Sequence, residues 1–173
     1  YNGEIYNYPR LQNHLIQKGH TFASQTDTEC ILHGYEHWGP GVVNHLRGMF
    51  AFAIWDQTKQ ILYMARDRLG IKPLYYYWDG RRFAFASEIK ALTTLPQTNL
   101  GHDNSALWDY LTYLYIPTPK TIYKHIRQVP AGHTMTVRTR CTPTTEEYWD
   151  LPNWGETIGT SDPASHPGWK DAV

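Results

Sequence analysis

The sequence predicts an α+β fold with an antiparallel sheet covered on both faces. Three observations lead there. Helix patterns with start and stop signals fill the segments before Gly39. Strand-type segments then follow one another from Met49 to Ser87, joined by short polar turns. Several of those segments are apolar at successive positions, so both faces of a sheet need cover.

In order along the chain, Asn2-Gly3 between tyrosines reads first as a turn, because both residues tolerate positive φ. Pro9 suits the first turn of a helix, with Leu11, Leu15 and Ile16 on one face and Gly19 as its stop. "HTFAS" reads as a short strand. "TDTECILHGYEHWG" reads as a second helix, capped by Thr26 or Asp27 and ended by Gly39. "MFAFAIWD", "ILYMARD", "KPLYYYW" and "RRFAFAS" read as successive strands, the last pair joined by a two-residue Asp79-Gly80 hairpin. Ser87 is placed to cap the short helix "EIKALTTL". A helix "SALWDYLTYLY", a strand near "HTMTV" and the segment "EEYWDLP" follow. From Asn153 the periodicity is lost, and 153–173 reads as a flexible tail or linker.

Lys+Arg 16 balance Asp+Glu 16, so no electrostatic footprint favours nucleic acid or an anionic membrane. No apolar run approaches the roughly 20 residues of a membrane span. Cys30 and Cys141 are far apart and without metal spacing, and read as reduced thiols of a cytosolic protein. The expected location is therefore cytoplasmic. No metal site and no cofactor are expected in these residues.

The blocks "YNGEIYN", "TDTECILHGYE", "LRGMFAFAIWD", "ARDRLGIKPLYYY", "FAFASEIKAL", "YLTYLYIPTPKTIYKHIRQVPAGH" and "YWDLP" occur in that order. Together they resemble the glutamine-hydrolysing asparagine synthetases of the bacterial type. The resemblance covers about residues 1–152. It implies a class II glutamine amidotransferase domain with the N-terminal-nucleophile hydrolase fold, stacked antiparallel sheets covered by helices, incomplete here. Residues 1–100 would be the C-terminal portion of that domain. Residues 101–152 would be its end and the connection toward a synthetase domain. Tyr1 opens the chain mid-motif, which predicts a fragment.

In the resembled family, glutamine is hydrolysed and its ammonia amidates an aspartyl-adenylate made from ATP. The nucleophile is an N-terminal cysteine whose own α-amino group is the base. Neither is expected here, because Tyr1 is no nucleophile and Cys30 lies inside a helix. The resemblance assigns Asn2 and Gly3 to the oxyanion hole, through the Asn2 side-chain amide and the Gly3 N–H. It places Glu4 and Asp27 near the ammonium group of glutamine. The plain alternatives are a hairpin turn for Asn2-Gly3 and a helix cap for Asp27. ATP and Mg would belong to the missing synthetase domain. The expected partners are glutamine and that domain of the same chain, with a homodimer open for the full enzyme. The chain alone is expected to be inactive.

Other features carry alternatives. Arg66, Asp67, Arg68, Gly70 and Lys72 read as a turn with a structural salt-bridge network, or as residues that hold the glutaminase loops or face the synthetase domain. Tyr75, Tyr76 and Tyr77 read as sheet packing. His33, Glu36 and His37 match H-x-x-E-H, an inverted zinc-peptidase pattern in which Glu88 could be offered as a third ligand. Three fixed positions are cheap to meet by chance, and a solvated helix face is the plainer reading. A non-catalytic amidotransferase-like module, or a relative acting on another carboxylate, remains as an alternative to asparagine synthesis.

Overall fold

The computed structural model describes residues 1–139 and 141–151. The expected tail at 153–173 lies outside the described residues. The elements are β1 (Asn2–Ile5), α1 (Tyr8–Gln17), α2 (Asp27–Trp38), a 3₁₀ turn (Gly39–Asn44), β2 (Gly48–Asp56), β3 (Ile61–Arg66), β4 (Tyr75–Trp78), β5 (Phe83–Ala86), α3 (Ile89–Thr93), α4 (Asn104–Tyr113), β6 (Ile126–Gln128), β7 (His133–Arg138) and β8 (Thr144–Glu147). No helix among the described residues is long and apolar enough to cross a membrane.

The strands form two antiparallel sheets. One is five-stranded in the order β1-β2-β3-β7-β8, and the other is three-stranded in the order β5-β4-β6. The period of two sorts their side chains into layers. Phe50 and Phe52 of β2 and Tyr63 and Ala65 of β3 pack against Leu11 of α1 and Ile31 and Tyr35 of α2. The alternate residues Ala51 and Met64, with Met135 and Val137 of β7, pack against Tyr76 and Phe83 of the smaller sheet. Tyr77 and Ile126 on that sheet's far face meet Leu92 of α3. The layers therefore run helix, sheet, sheet, helix. This is the α+β architecture with every central face covered, as the continuous apolar strands require.

Several local expectations are corrected. The successive strands do not share one sheet, since β3 pairs with β7 and β4 with β6. Residues 67–74 carry the chain from one layer to the other. The β4–β5 connection begins after Trp78 and ends before its partner Phe83, so it is longer than two residues. Asp79 organises it by accepting the N–H groups of Arg81 and Arg82. "HTFAS" is not a strand. Its Ala23 and Ser24 N–H groups instead donate to the Glu29 carboxylate in the first turn of α2, at 2.7 and 2.8 Å. Ile16 is half exposed and lies off the buried stripe of Leu11 and Leu15. Glu88, not Ser87, is the N-cap position of α3. Gly39 does end α2, at φ 61°.

Candidate active site

Asn2-Gly3 is not a turn. Both residues lie in β1, an edge strand paired with β2 in the register Asn2 to Ala51 and Gly3 to Phe50. Glycine is needed at position 3 for a different reason. Its φ is 148°, and a Cβ there would overlap the Met49 carbonyl oxygen. Gly48 repeats this in mirror fashion at φ 151°, where a Cβ would overlap the Glu4 carbonyl. The two strands thus approach at a pair of glycines. Gly48 was not anticipated; its only sequence signal is a glycine leading directly into a strand.

Backbone direction alternates along β1. Tyr6 donates its N–H inward, to the Arg47 carbonyl at 2.8 Å. Ile5 donates outward, to Asp27 Oδ2 at 3.0 Å. Two residues earlier, the same alternation turns the Gly3 N–H outward, to the open side of the sheet. Asn2 belongs to the face that looks toward the second sheet. It lines a cleft of about 290 Å³ with Tyr1, Ala51, Leu74, Phe85 and Ser87.

Asp27 begins α2, and neither it nor the N-cap residue Thr26 makes a capping hydrogen bond there. The expected cap is corrected, because the Asp27 carboxylate is aimed across at β1. Besides Ile5, it accepts the Tyr1 hydroxyl at 2.5 Å. Burial, then the hydrogen bond to Asp27, then the charges of Asp27 and Glu4 push the Tyr1 phenol pKa upward. Glu4 and Asp27 therefore both act on the point the Tyr1 hydroxyl occupies. Sequence reasoning missed Tyr1 as a part of this cluster.

The support beneath β2 is the Arg66-Asp67 knot. Asp67 is 1% exposed and accepts the backbone N–H groups of Phe50, Leu69, Ile71 and Lys72. Arg66 donates to the carbonyls of Lys72, Val129 and Gly70 at 2.8, 2.8 and 2.6 Å. Arg68 donates to the Leu46 carbonyl at 2.7 Å. These side chains bind main chain and not one another, so the expected salt-bridge network is corrected to a backbone clamp. Burial lowers the Arg66 pKa, and the neighbouring Asp67 charge opposes that shift. The clamp fixes Phe50, whose strand partner is Gly3.

The two cysteines sit in different surroundings. Cys30 is 1% exposed, its Sγ donates to the Tyr8 carbonyl at 3.6 Å, and burial raises its pKa to about 11. Cys141 is exposed and lies in the β7–β8 connection. His33 and Glu36 of the H-x-x-E-H pattern do meet, but with His20 as the third group, and neither His37 nor Glu88 belongs to that group.

The glutamine amidotransferase domain family matches residues 1–149. The chain belongs to that family. This amidotransferase domain is 43% identical over 138 residues to asparagine synthetase [glutamine-hydrolyzing] 1 of Bacillus subtilis, covering 80% of this chain and 22% of that protein. It is 32% identical over 153 residues to a protein named amidase chry2 from Gibberella zeae, covering 87% of this chain and 22% of that protein. In fold it is similar to glutamine phosphoribosylpyrophosphate amidotransferase from B. subtilis, a structure with ADP and GMP. That likeness has a TM-score of 0.59 at 20% identity and covers 86% of this chain and 28% of that one. The domain thus spans about a fifth of the length of these curated relatives. Its α+β fold with two antiparallel sheets is of the N-terminal-nucleophile type expected from the sequence motifs.

Proposed function

We propose that this domain supplies the oxyanion-binding and ammonium-binding part of a glutaminase site that feeds asparagine synthesis. The observation that carries this reading is the outward-facing N–H at Gly3 beside an Asp27 carboxylate held against the same strand edge. When the side-chain amide of glutamine is attacked, negative charge grows on its carbonyl oxygen. The Gly3 N–H and the Asn2 side-chain amide would donate to that oxygen, and loss of one such donor typically costs about 3 kcal/mol of transition-state stabilisation. Asp27 and Glu4 would face the substrate ammonium. The Tyr1 hydroxyl now donates to Asp27 as an ammonium N–H would.

The nucleophile would come from outside these residues, since Cys30 is buried and Cys141 joins β7 to β8, with β2 and β3 between that pair and β1. On this reading the chain alone neither hydrolyses glutamine nor makes asparagine. ATP and Mg chemistry would reside in a synthetase domain, toward which residues 101–152 lead. Helix α4 supports that placement, because Trp108 and Leu111 on it, and Leu114 just after it, are largely exposed. A second reading, transfer of the ammonia to an acceptor other than aspartate, is kept because the chain also resembles a protein named an amidase and not an asparagine synthetase.

The test is glutamate release by the protein of the complete reading frame, with aspartate and ATP present. Asn2→Ala should lower the rate about 100-fold or more, and asparagine should form in the unaltered protein. Glutamate release indifferent to Asn2→Ala would overturn the site assignment. Glutamine hydrolysis without asparagine would select the second reading.

A further inference from the structure

The segment between α1 and α2 carries His20 back over the outer face of α2. There His20, His33 and Glu36 each bring one ligand atom, all within 4.8 Å of one another. Glu36 Oε2 lies 2.8 Å from His33 Nδ1 and 3.7 Å from His20 Nδ1. Ligand atoms around a tetrahedral zinc ion sit about 3.4 Å apart, given metal–ligand bonds near 2.1 Å. The spacing therefore needs only small side-chain adjustment to close on an ion.

The far side of each imidazole supplies a second, independent observation. Both rings turn Nδ1 toward Glu36 and Nε2 away from it. His33 Nε2 faces Glu29 Oε1 at 3.5 Å, and His20 Nε2 faces His37 Nδ1 at 3.4 Å. His33 Nδ1 here donates to Glu36 Oε2, so a metal would displace that proton, and a partner at the far nitrogen would hold the tautomer that remains, the usual outer arrangement of metal-bound histidine. Glu29 is itself fixed by the Ala23 and Ser24 N–H groups. The His20 and His33 side chains are mostly covered, and Glu36 is half exposed, which leaves one side open for entry.

We propose that His20, His33 and Glu36 form a binding site for a divalent transition metal of the zinc class. The ligands are Nδ1 of each imidazole and the Glu36 carboxylate, with water completing the coordination. His37 and Glu29 are outer partners that orient the rings. The arrangement differs from the peptidase pattern in the sequence, because Glu36 is spent as a ligand and His37 stands outside. Its role is structural. It staples the segment after α1 to α2, the helix whose first residue is Asp27.

The experiment is a calorimetric titration of Zn²⁺ into the untagged, chelator-stripped chain, with a parallel thermal melt. One equivalent should bind, and the melting temperature should rise with zinc. Glu36→Gln sits at an exposed position and should preserve the fold while losing both effects. His20→Ala should do the same, and His37→Ala should weaken binding roughly 10-fold or more. No saturable binding would overturn the proposal and leave Glu36 as a hydrogen-bond partner of the two imidazoles. An equivalent of zinc retained unchanged by both Glu36→Gln and His20→Ala would also overturn it, since the ion would then sit elsewhere.

Discussion

The Asp27 carboxylate at the start of α2 accepts the N–H of Ile5 at the end of β1, at 3.0 Å. This bond runs between a helix and an edge strand that share no other ladder. It directs the carboxylate at the strand carrying Asn2 and Gly3, at the expense of capping its own helix. Asp27→Ala should therefore destabilise the fold by roughly 1.5–3 kcal/mol, the worth of a hydrogen bond to a charged acceptor. In the complete protein it should also raise KM for glutamine. Denaturant melts and steady-state kinetics check the two effects separately.

Gly3→Ala tests the close approach of β1 to β2. The added methyl would overlap the Met49 carbonyl, at a φ that side chains rarely adopt. The expected cost is about 3 kcal/mol or detachment of β1. Amide exchange at Met49 and Ala51, the β2 residues in the hydrogen-bonded pairs with β1, should accelerate in the variant. Unchanged exchange and stability would mean that β1 is not held as described.

Asp67→Ala should be the most damaging of these substitutions. It strands the buried N–H of Phe50 and the N–H groups of Leu69, Ile71 and Lys72 together. Each unsatisfied buried donor costs about 1–3 kcal/mol, so the variant is expected to fail to fold cooperatively. A cooperative melt near that of the parent would refute the clamp.

The thiols should differ sharply. Cys141 is exposed, whereas burial lifts Cys30 to a pKa of about 11. One thiol per native chain should react quickly with an aromatic disulfide reagent at neutral pH, and the second only on unfolding. Equal rates would contradict the burial of Cys30.

Glu29 should shape the acid limb of stability. Hydrogen bonds, first from Ser24 and then from Ala23, lower its pKa from 4.5 to about 2. A depressed folded-state pKa gives stability that is complete above the unfolded value. Glu29's contribution is therefore present above about pH 4.5 and lost as pH falls toward 2. Glu29→Gln should flatten the stability curve in that window, as read by unfolding midpoints across pH.

Much of this was legible in the sequence. The apolar runs at Met49–Asp56 and Ile61–Arg66 announced strands buried on both faces, and Gly39 announced a helix end. What failed was non-local. Asn-Gly reads as a turn when only φ tolerance is considered, yet at Asn2-Gly3 the glycine answers to Met49, far along the chain. Asp27 reads as a cap because capping is local, whereas its partners Tyr1 and Ile5 arrive through the tertiary fold. Arg66 and Asp67 look like an ion-pair cluster, but both are consumed by backbone groups between Phe50 and Val129 that no local pattern announces. His20 lies outside the H-x-x-E-H spacing, so only the folded segment after α1 could bring it to His33 and Glu36.

The central claim is that Asn2, Gly3, Glu4 and Asp27 form one half of a glutamine site. A ¹⁵N NMR titration of the chain with L-glutamine tests it most directly. The Gly3 amide and the Asn2 side-chain amide should shift together and saturate, and Asp27→Ala should abolish the response. Shifts confined to other parts of the chain, or a Gly3 amide that stays still while the rest saturates, would contradict the account.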